Sequence, residues 1–179
     1  MSSVIKELPH YTYEDYLHWE GRWELIEGHP YAMSPAPSMG HQDINGKLWS
    51  LFYHSLQQCC KHCKVYLPID WKVNDDTVVQ PDLLIICKKT EKKFLDFAPL
   101  LVAEILSPST AFKDRNDKFA LYEMQAVKYY LIVDAQFKKI EVYELIDGKY
   151  QPVAVTPEQF EFSLGNDCKP TVHFDNIWD

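Results

Sequence analysis

The residues best placed to do chemistry begin with an acid inside the most apolar stretch of the chain, Leu100-Leu101-Val102-Ala103-Glu104-Ile105-Leu106. Side chains alternate faces along an extended strand, so Glu104 shares a face with Val102 and Leu106. An unpaired ionised carboxylate there costs about 3 kcal/mol or more, so Glu104 needs a cation, a donor or a metal. A second acid, Asp82, lies in Val78-Val79-Gln80-Pro81-Asp82-Leu83-Leu84-Ile85-Ile86. Pro81 has no N–H to give a ladder, so the chain must bend or bulge beside Asp82, which is a common way to aim a side chain into a site. With the two strands as neighbours, Asp82 and Glu104 converge on one divalent cation, and oxygen-only donors suit Mg2+ or Mn2+. Asp114, Lys118 and Tyr122 follow at i, i+4 and i+8, on one helical face. A lysine folded back against two carboxylates stays charged. It is therefore suited to orienting a water and stabilising a phosphate transition state rather than to general-base work.

These residues need elements to hold them. Thr12 and Asp15 resemble a capping box, and Tyr13, Tyr16 and Leu17 are helically spaced, predicting a short helix over 12–20. Trp23–Ile26 and Tyr31–Met33 flank Glu27-Gly28-His29-Pro30, a hairpin signal that contains Glu24. Ser34-Pro35-Ala36-Pro37-Ser38 reads as a stiff connector. From Ser38 to about Cys63 the pattern is helical, with Ile44, Leu48, Leu51, Phe52, Leu56 and Cys59 on one stripe. Strands are expected over 65–73, 78–87 and 99–107, then a helix to about Met124 and a strand over 127–134. A hairpin about Asp147-Gly148 and an irregular tail follow, with 171–178 as a short docking strand. The order predicts an α/β (mixed α+β) sheet with helices on its faces. The strand–helix–strand unit is expected to be a parallel crossover. One domain spans 1–179, with an arm over 1–37, a core over 38–135 and the hairpin and tail over 136–179.

A chain of 179 residues buries enough surface to fold without staples. Its formal charge of -8 excludes a general basic coat that grips phosphate by neutralisation alone. No apolar run approaches the roughly 18 residues of a membrane span. The first residues turn acidic and aromatic with no apolar core, unlike a signal peptide. Five cysteines, three of them at Cys59, Cys60 and Cys63, make a poor disulfide framework and suit a reducing cytoplasm. Zinc at Cys59, Cys60, His62 and Cys63 lacks a second Cys/His pair, so half-buried thiols near a helix end are the expectation.

A Pro-Asp on one strand, a Glu on the next and a lysine nearby resemble the PD-(D/E)XK nuclease superfamily. More closely, the chain resembles the Uma-type restriction endonuclease family. The matching stretches are Glu24–Gly28, Met33–Ser38 with His41, Gln80–Leu84, Val102–Thr110, Asp114 with Lys118 and Tyr122, and Tyr130–Asp134. The resemblance implies a restriction-endonuclease-like core with an added β-hairpin, a divalent metal on Asp82 and Glu104, and hydrolysis of DNA phosphodiester bonds. It implies that Glu24 positions a metal-bound water. The superfamily lysine two residues after the acid is replaced by Leu106, and Lys118 stands as the migrated lysine.

Each residue also has a plainer reading. Glu104 alone reads as half of a buried salt bridge, Asp82 as a strand-end acid, and Lys118 as a solvated partner of Asp114. Glu24 divides evenly between site and surface hairpin. His41 reads as a first-turn residue at the cleft margin, Tyr122 as packing that can also touch phosphate, and Gln80 as a cleft-lining neighbour of Asp82. Competing functions are a catalytically inactive nuclease-like module that binds DNA or protein, and a homodimer built on an aromatic surface that includes Trp19, Trp23, Trp49, Trp71 and Trp178. The charge balance carries its own consequence, since acids at a metal site repel phosphate until a cation is bound. Fluorescence anisotropy is expected to show weak DNA affinity in chelator, rising on addition of Mg2+; affinity unchanged by Mg2+ would contradict this.

Overall fold

The computed structural model describes residues 9–33, 36–165 and 167–179. The expectations for the first eight residues, and for Ser34 and Pro35 of the connector, fall outside them. The elements are α1 (Tyr13–Tyr16), β1 (Trp23–Ile26), β2 (His29–Ala32), α2 (Met39–Cys59), β3 (Lys64–Tyr66), β4 (Trp71–Lys72), β5 (Val78–Val79) and β6 (Leu83–Ile86). They continue with β7 (Leu101–Ile105), α3 (Ala111–Arg115), α4 (Asp117–Met124), β8 (Tyr129–Asp134), β9 (Lys139–Ile146), β10 (Lys149–Val155), β11 (Gln159–Glu161) and β12 (Thr171–His173).

The large sheet is mixed, ordered β10-β9-β8-β7-β6-β3, with β7 and β8 its parallel pair. Its centre is apolar on both sides because both sides are covered. Leu83, Ile85, Leu101, Ala103, Ile105, Leu131 and Val133 pack toward α2 and the C-terminal tail. Leu84, Ile86, Val102, Tyr130 and Ile132 pack on the other side with Trp71, Tyr122 and Val79. The smaller sheet, β2-β1-β5-β4, contributes to that second layer. Two hairpins use paired left-handed residues at their turns, Glu27–Gly28 (φ 49° and 75°) and Asp147–Gly148 (φ 51° and 77°), as type I′ turns require. A Cβ at Gly28 would also fall 2.2 Å from the His10 ring.

Several expected boundaries move. The strand expected over 65–73 is two strands, β3 in the large sheet and β4 in the small one. The strand expected over 78–87 divides the same way, with Pro81 at the crossing from β5 to β6. The helix expected to run to Met124 breaks at Asn116 (φ -125°, ψ -74°), whose side-chain amide donates to the Phe112 carbonyl. The first helix is one turn, closed by Asp15 accepting from the Thr12 N–H and hydroxyl.

The aromatic surface is mostly packing. Trp71 is buried against Tyr122, Trp49 and Trp178 lie on the core, and Tyr11, Tyr16, Trp19 and Trp23 pack edge-on or tilted against one another. The cysteines also depart from expectation: Cys60 pairs with Cys168 and Cys63 with Cys87, leaving Cys59 as the exposed free thiol. Both partners lie far away in sequence, so the local cluster gives no sign of them. Among the described residues, no helix is long and apolar enough to cross a membrane.

Glu141 on β9 ties α3 to the sheet through Arg115 (2.6 Å) and is also paired with Lys139 of its own strand (2.5 Å). Burial pushes its carboxyl up, but Lys139 and Arg115 outweigh this and hold it below the usual range. A carboxyl lowered in the folded state stabilises above its unfolded value and loses that contribution as pH falls through its folded value. In thermal melts from about pH 7 down to about pH 3, Glu141→Gln should melt below the parent at neutral pH, with the gap closing in acid. A gap that widens in acid would overturn the assignment.

Candidate active site

Glu24, Asp82, Glu104, Asp114, Lys113 and Lys118 come together where the two sheets and the α3–α4 pair meet. β7 carries Glu104 on the face opposite Ala103 and Ile105, so it projects toward α4 rather than α2. Asp82 sits in the bend immediately before β6. β6 and β7 are antiparallel neighbours, with Leu83 opposite Ala103. The two acids are thereby interlocked: the Ile105 N–H donates to Asp82 Oδ2 (2.9 Å), and the Asp82 N–H points at Glu104 Oε2 (3.4 Å). The small sheet delivers Glu24, which accepts from the Gln80 N–H (2.9 Å) beside Pro81.

Lys118 is the hub. Its Nζ lies 2.7 Å from Glu24 Oε1, 2.9 Å from Glu104 Oε1 and 3.6 Å from Asp114 Oδ1. Lys113 adds a second cation, 2.5 Å from Glu24 Oε2. The Tyr122 hydroxyl donates to Glu104 Oε1 (2.6 Å), and the Tyr130 hydroxyl to the Asp114 carbonyl (2.9 Å). The break at Asn116 leaves Asp114, Lys118 and Tyr122 on one buried face. Asp82 is the accessible member, with 14% of its side chain exposed against 0% for Glu24 and 3% for Glu104. His41 shares that mouth and places Nε2 3.1 Å from Asp82 Oδ2, while Asn45 one turn later donates to the Asp82 carbonyl (3.0 Å).

Burial and charge push these groups apart. Burial drives Glu104 well above the usual carboxylate range, and the neighbouring carboxylates add to this against the opposing pull of Lys118. Burial also raises Asp114, with Lys118 opposing. Glu24 is held low, because Lys118 and Lys113 overcome its burial. Burial pulls Lys118 downward, yet Glu104, Glu24 and Asp114 hold it well above the ordinary lysine value. For His41 burial works downward, but the bond to Asp82 prevails and raises it.

With every carboxyl ionised, four carboxylates against two lysines would leave a formal excess of two negative charges, a state that burial of Glu104 and Asp114 opposes and a cation would favour. Asp114 Oδ1 is buried without a hydrogen-bond partner among the described residues. Oxygen donors, excess negative charge and a buried unsatisfied oxygen fit a hard divalent cation. Magnesium is ordinarily held by one or two carboxylates with water and phosphate completing its shell, so Asp82 and Glu104 suffice.

The structure thus brings Asp82, Glu104, Lys118, Glu24, His41 and Tyr122 together and gives some of them tasks other than those expected. Glu24 has its oxygens taken by Lys113, Lys118 and the Gln80 N–H, so it anchors lysines rather than a water. Tyr122 is fully buried and steadies Glu104 instead of reaching phosphate. The Gln80 side chain turns to Arg22, Asp70 and Tyr16, and only its backbone serves the site. Asp114 is a member of the cluster and not merely a surface partner of Lys118. Lys113 and Asn45 are additions. Asn45 was signalled by its place four residues after His41 on an apolar helical stripe; Lys113 had no such signal, being off the Asp114–Lys118–Tyr122 face.

Removing one partner of a buried ion pair costs about 3–5 kcal/mol, because the other charge is left unpaired. Lys118→Met should therefore lower the melting temperature at neutral pH far more than Tyr122→Phe, which removes one hydroxyl worth about 1–2 kcal/mol. Equal melting temperatures for Lys118→Met and the parent would contradict the hub assignment.

The family model of Uma2, described as "Putative restriction endonuclease", matches residues 13–169. An uncharacterized protein of Synechocystis, slr1290, is 34% identical over 147 residues, covering 78% of this chain and 76% of its own. A second Synechocystis protein, sll1609, is 31% identical over 86 residues, covering 44% of this chain and 48% of its own. In the solved structures, a "putative nuclease" from Anabaena variabilis superposes with a TM-score of 0.73 at 16% identity, covering 93% of this chain and 97% of that one. The fold is accordingly the mixed α/β arrangement of that nuclease-like neighbour, and the chain belongs to the Uma2 family of restriction-endonuclease-like proteins.

Proposed function

We propose that this protein is a metal-dependent DNA endonuclease whose site is the cleft around Asp82 and Glu104. The carrying observation is the interlocked acid pair backed by a charged, buried lysine. The family description and the nuclease-like fold of the structural neighbour support the reading. Asp82 and Glu104 would hold Mg2+ or Mn2+. The cation supplies Lewis-acid polarisation of the scissile phosphate and a lowered pKa for a bound water.

The remaining work falls to the chain. Lys118 and Lys113 keep Glu24 ionised in a dry cleft, and Lys118 opposes the burial that raises Glu104, so a bound cation would complete the charging of the donor set. Tyr122 and the Asp82 N–H fix the Glu104 carboxylate, and the Ile105 N–H with His41 fixes Asp82. Lys113, 13% exposed at its side chain, is the cation nearer solvent and faces arriving phosphate more readily than Lys118.

Activity is tested on duplex, nicked and single-stranded DNA with Mg2+ or Mn2+. Cleavage is expected to need the cation, to fall at least about 100-fold in Asp82→Ala and Lys118→Met, and to fall less in Lys113→Ala. Asp82→Ala must also lose Mg2+ binding by calorimetry. No cleavage of any substrate under either cation, or undiminished cleavage by Asp82→Ala, would overturn the proposal.

A further inference from the structure

A second cluster of reactive side chains lies on the opposite face of the large sheet, away from the carboxylate cleft. Cys60 caps the end of α2, and Cys63 follows in a turn whose N–H donates to the Cys60 carbonyl (3.0 Å). Cys87 immediately follows β6, and Cys168 lies in the tail where the Leu164 N–H meets its carbonyl (2.9 Å). Lys64 pairs with Ile86 in the ladder, so Cys63 and Cys87 are cross-strand neighbours with Cα atoms 3.9 Å apart. Cys60 and Cys168 have Cα atoms 5.3 Å apart. The two pairs also touch each other, with Cys63 Sγ 3.6 Å from Cys168 Sγ. Four cysteines from three stretches of the chain are therefore joined through this contact, and three of them are no more than 2% exposed.

We propose that, in the reduced chain, Cys60, Cys63, Cys87 and Cys168 bind one zinc ion as a closed tetrathiolate site. A tetrahedron with Zn–S bonds of about 2.3 Å has edges of about 3.8 Å. The 3.6 Å contact between the pairs is close to that edge. Two disulfides give no reason for the pairs to meet, whereas one shared ion requires it. Cys60-Lys61-His62-Cys63 has the two-residue spacing of a zinc-binding turn. The 3.9 Å Cα separation of Cys63 and Cys87 lies below the roughly 4.4–6.8 Å a disulfide ordinarily spans, and shared metal ligation sets no such minimum. Each pair has a third donor within 4.8 Å, Cys59 beside Cys60 and Cys168 and His62 beside Cys63 and Cys87, but both of these are exposed, and the four more buried sulfurs supply the number of ligands a closed structural site takes.

The redox step balances. Each disulfide takes two electrons and two protons from a dithiol reductant, which departs as its own disulfide. Zn2+ then displaces four thiol protons, leaving a complex of net charge -2. The ion would fasten the tail to the end of α2 and to the β3–β6 edge. The tail already leans on α2 through Ser55, whose hydroxyl donates to the Thr171 carbonyl (2.7 Å).

The full chain is purified in reductant without chelator, its metal content is measured, and the metal-free protein is titrated with CoCl2. About one zinc per chain is expected, with tetrahedral cobalt bands and thiolate-to-cobalt charge transfer saturating at one equivalent. Cys87→Ser and Cys168→Ser should weaken cobalt binding about 100-fold or more, and Cys59→Ser should leave it unchanged. The parent's cobalt spectrum decides the matter even if a serine variant fails to fold. Folded, reduced protein that takes up neither zinc nor cobalt would overturn the proposal. Stoichiometric iron in place of zinc, or loss of binding in Cys59→Ser, would also overturn it.

Discussion

Everything at the cleft depends on a single ammonium group. Lys118 is buried and holds three carboxylates from three elements, on β1, β7 and α3. Without it, like charges would face one another in a medium that screens them poorly. With it, β1 of the small sheet is pinned to β7 of the large one across α4. The ion cluster is thus the fastener that makes two sheets and a helix pair one object. Such clusters are seldom the cheapest way to stabilise a fold. Retaining one where a leucine would pack is a sign that charge is needed at that point.

The consequence for chemistry is a division of labour by depth. Glu24 and Glu104 are occupied by lysine and tyrosine, while the shallow acid, Asp82, keeps contact with solvent and His41. Under the proposed function, a cation entering the cleft would meet Asp82 first and Glu104 behind it. Both Glu24 and Glu104 are buried and both touch Lys118, yet only Glu24 also holds Lys113, and it is the one kept low. Lys113 beside Glu24, together with the carboxylates that crowd Glu104, therefore sets which of the two acids is held low.

Much of this was legible in the order of residues. Glu104 in an apolar strand declared a need for partners, Pro81 declared a bend beside Asp82, and the i, i+4, i+8 spacing gave Lys118 and Tyr122. What was hidden is long-range and directional. Glu24 is 80 residues from Glu104, and no periodicity announces that a hairpin will fold under a helix to meet it. The division of 65–73 and 78–87 between two sheets was hidden for a similar reason, because alternation reports a face and not which sheet owns it. The pairings of Cys60 with Cys168 and Cys63 with Cys87 join helix end, strand edge and tail, and spacing cannot encode such closure. The contacts of Glu24 and Tyr122 were not legible, because motif position bears on proximity and leaves open which oxygen is already occupied.

Helix α2 has a consequence that neither of its ends shows alone. Its first two turns present His41 and Asn45 to Asp82, and its last turn ends at Cys60. Its 21 residues make a rod about 30 Å long. An α-helix yields readily to bending but hardly at all to compression along its axis, so displacement of one end along that axis arrives at the other nearly undiminished. The clamp on the last turn therefore sets the axial register of the first. The precision with which Asp82 is aimed is anchored in part at the far side of the molecule.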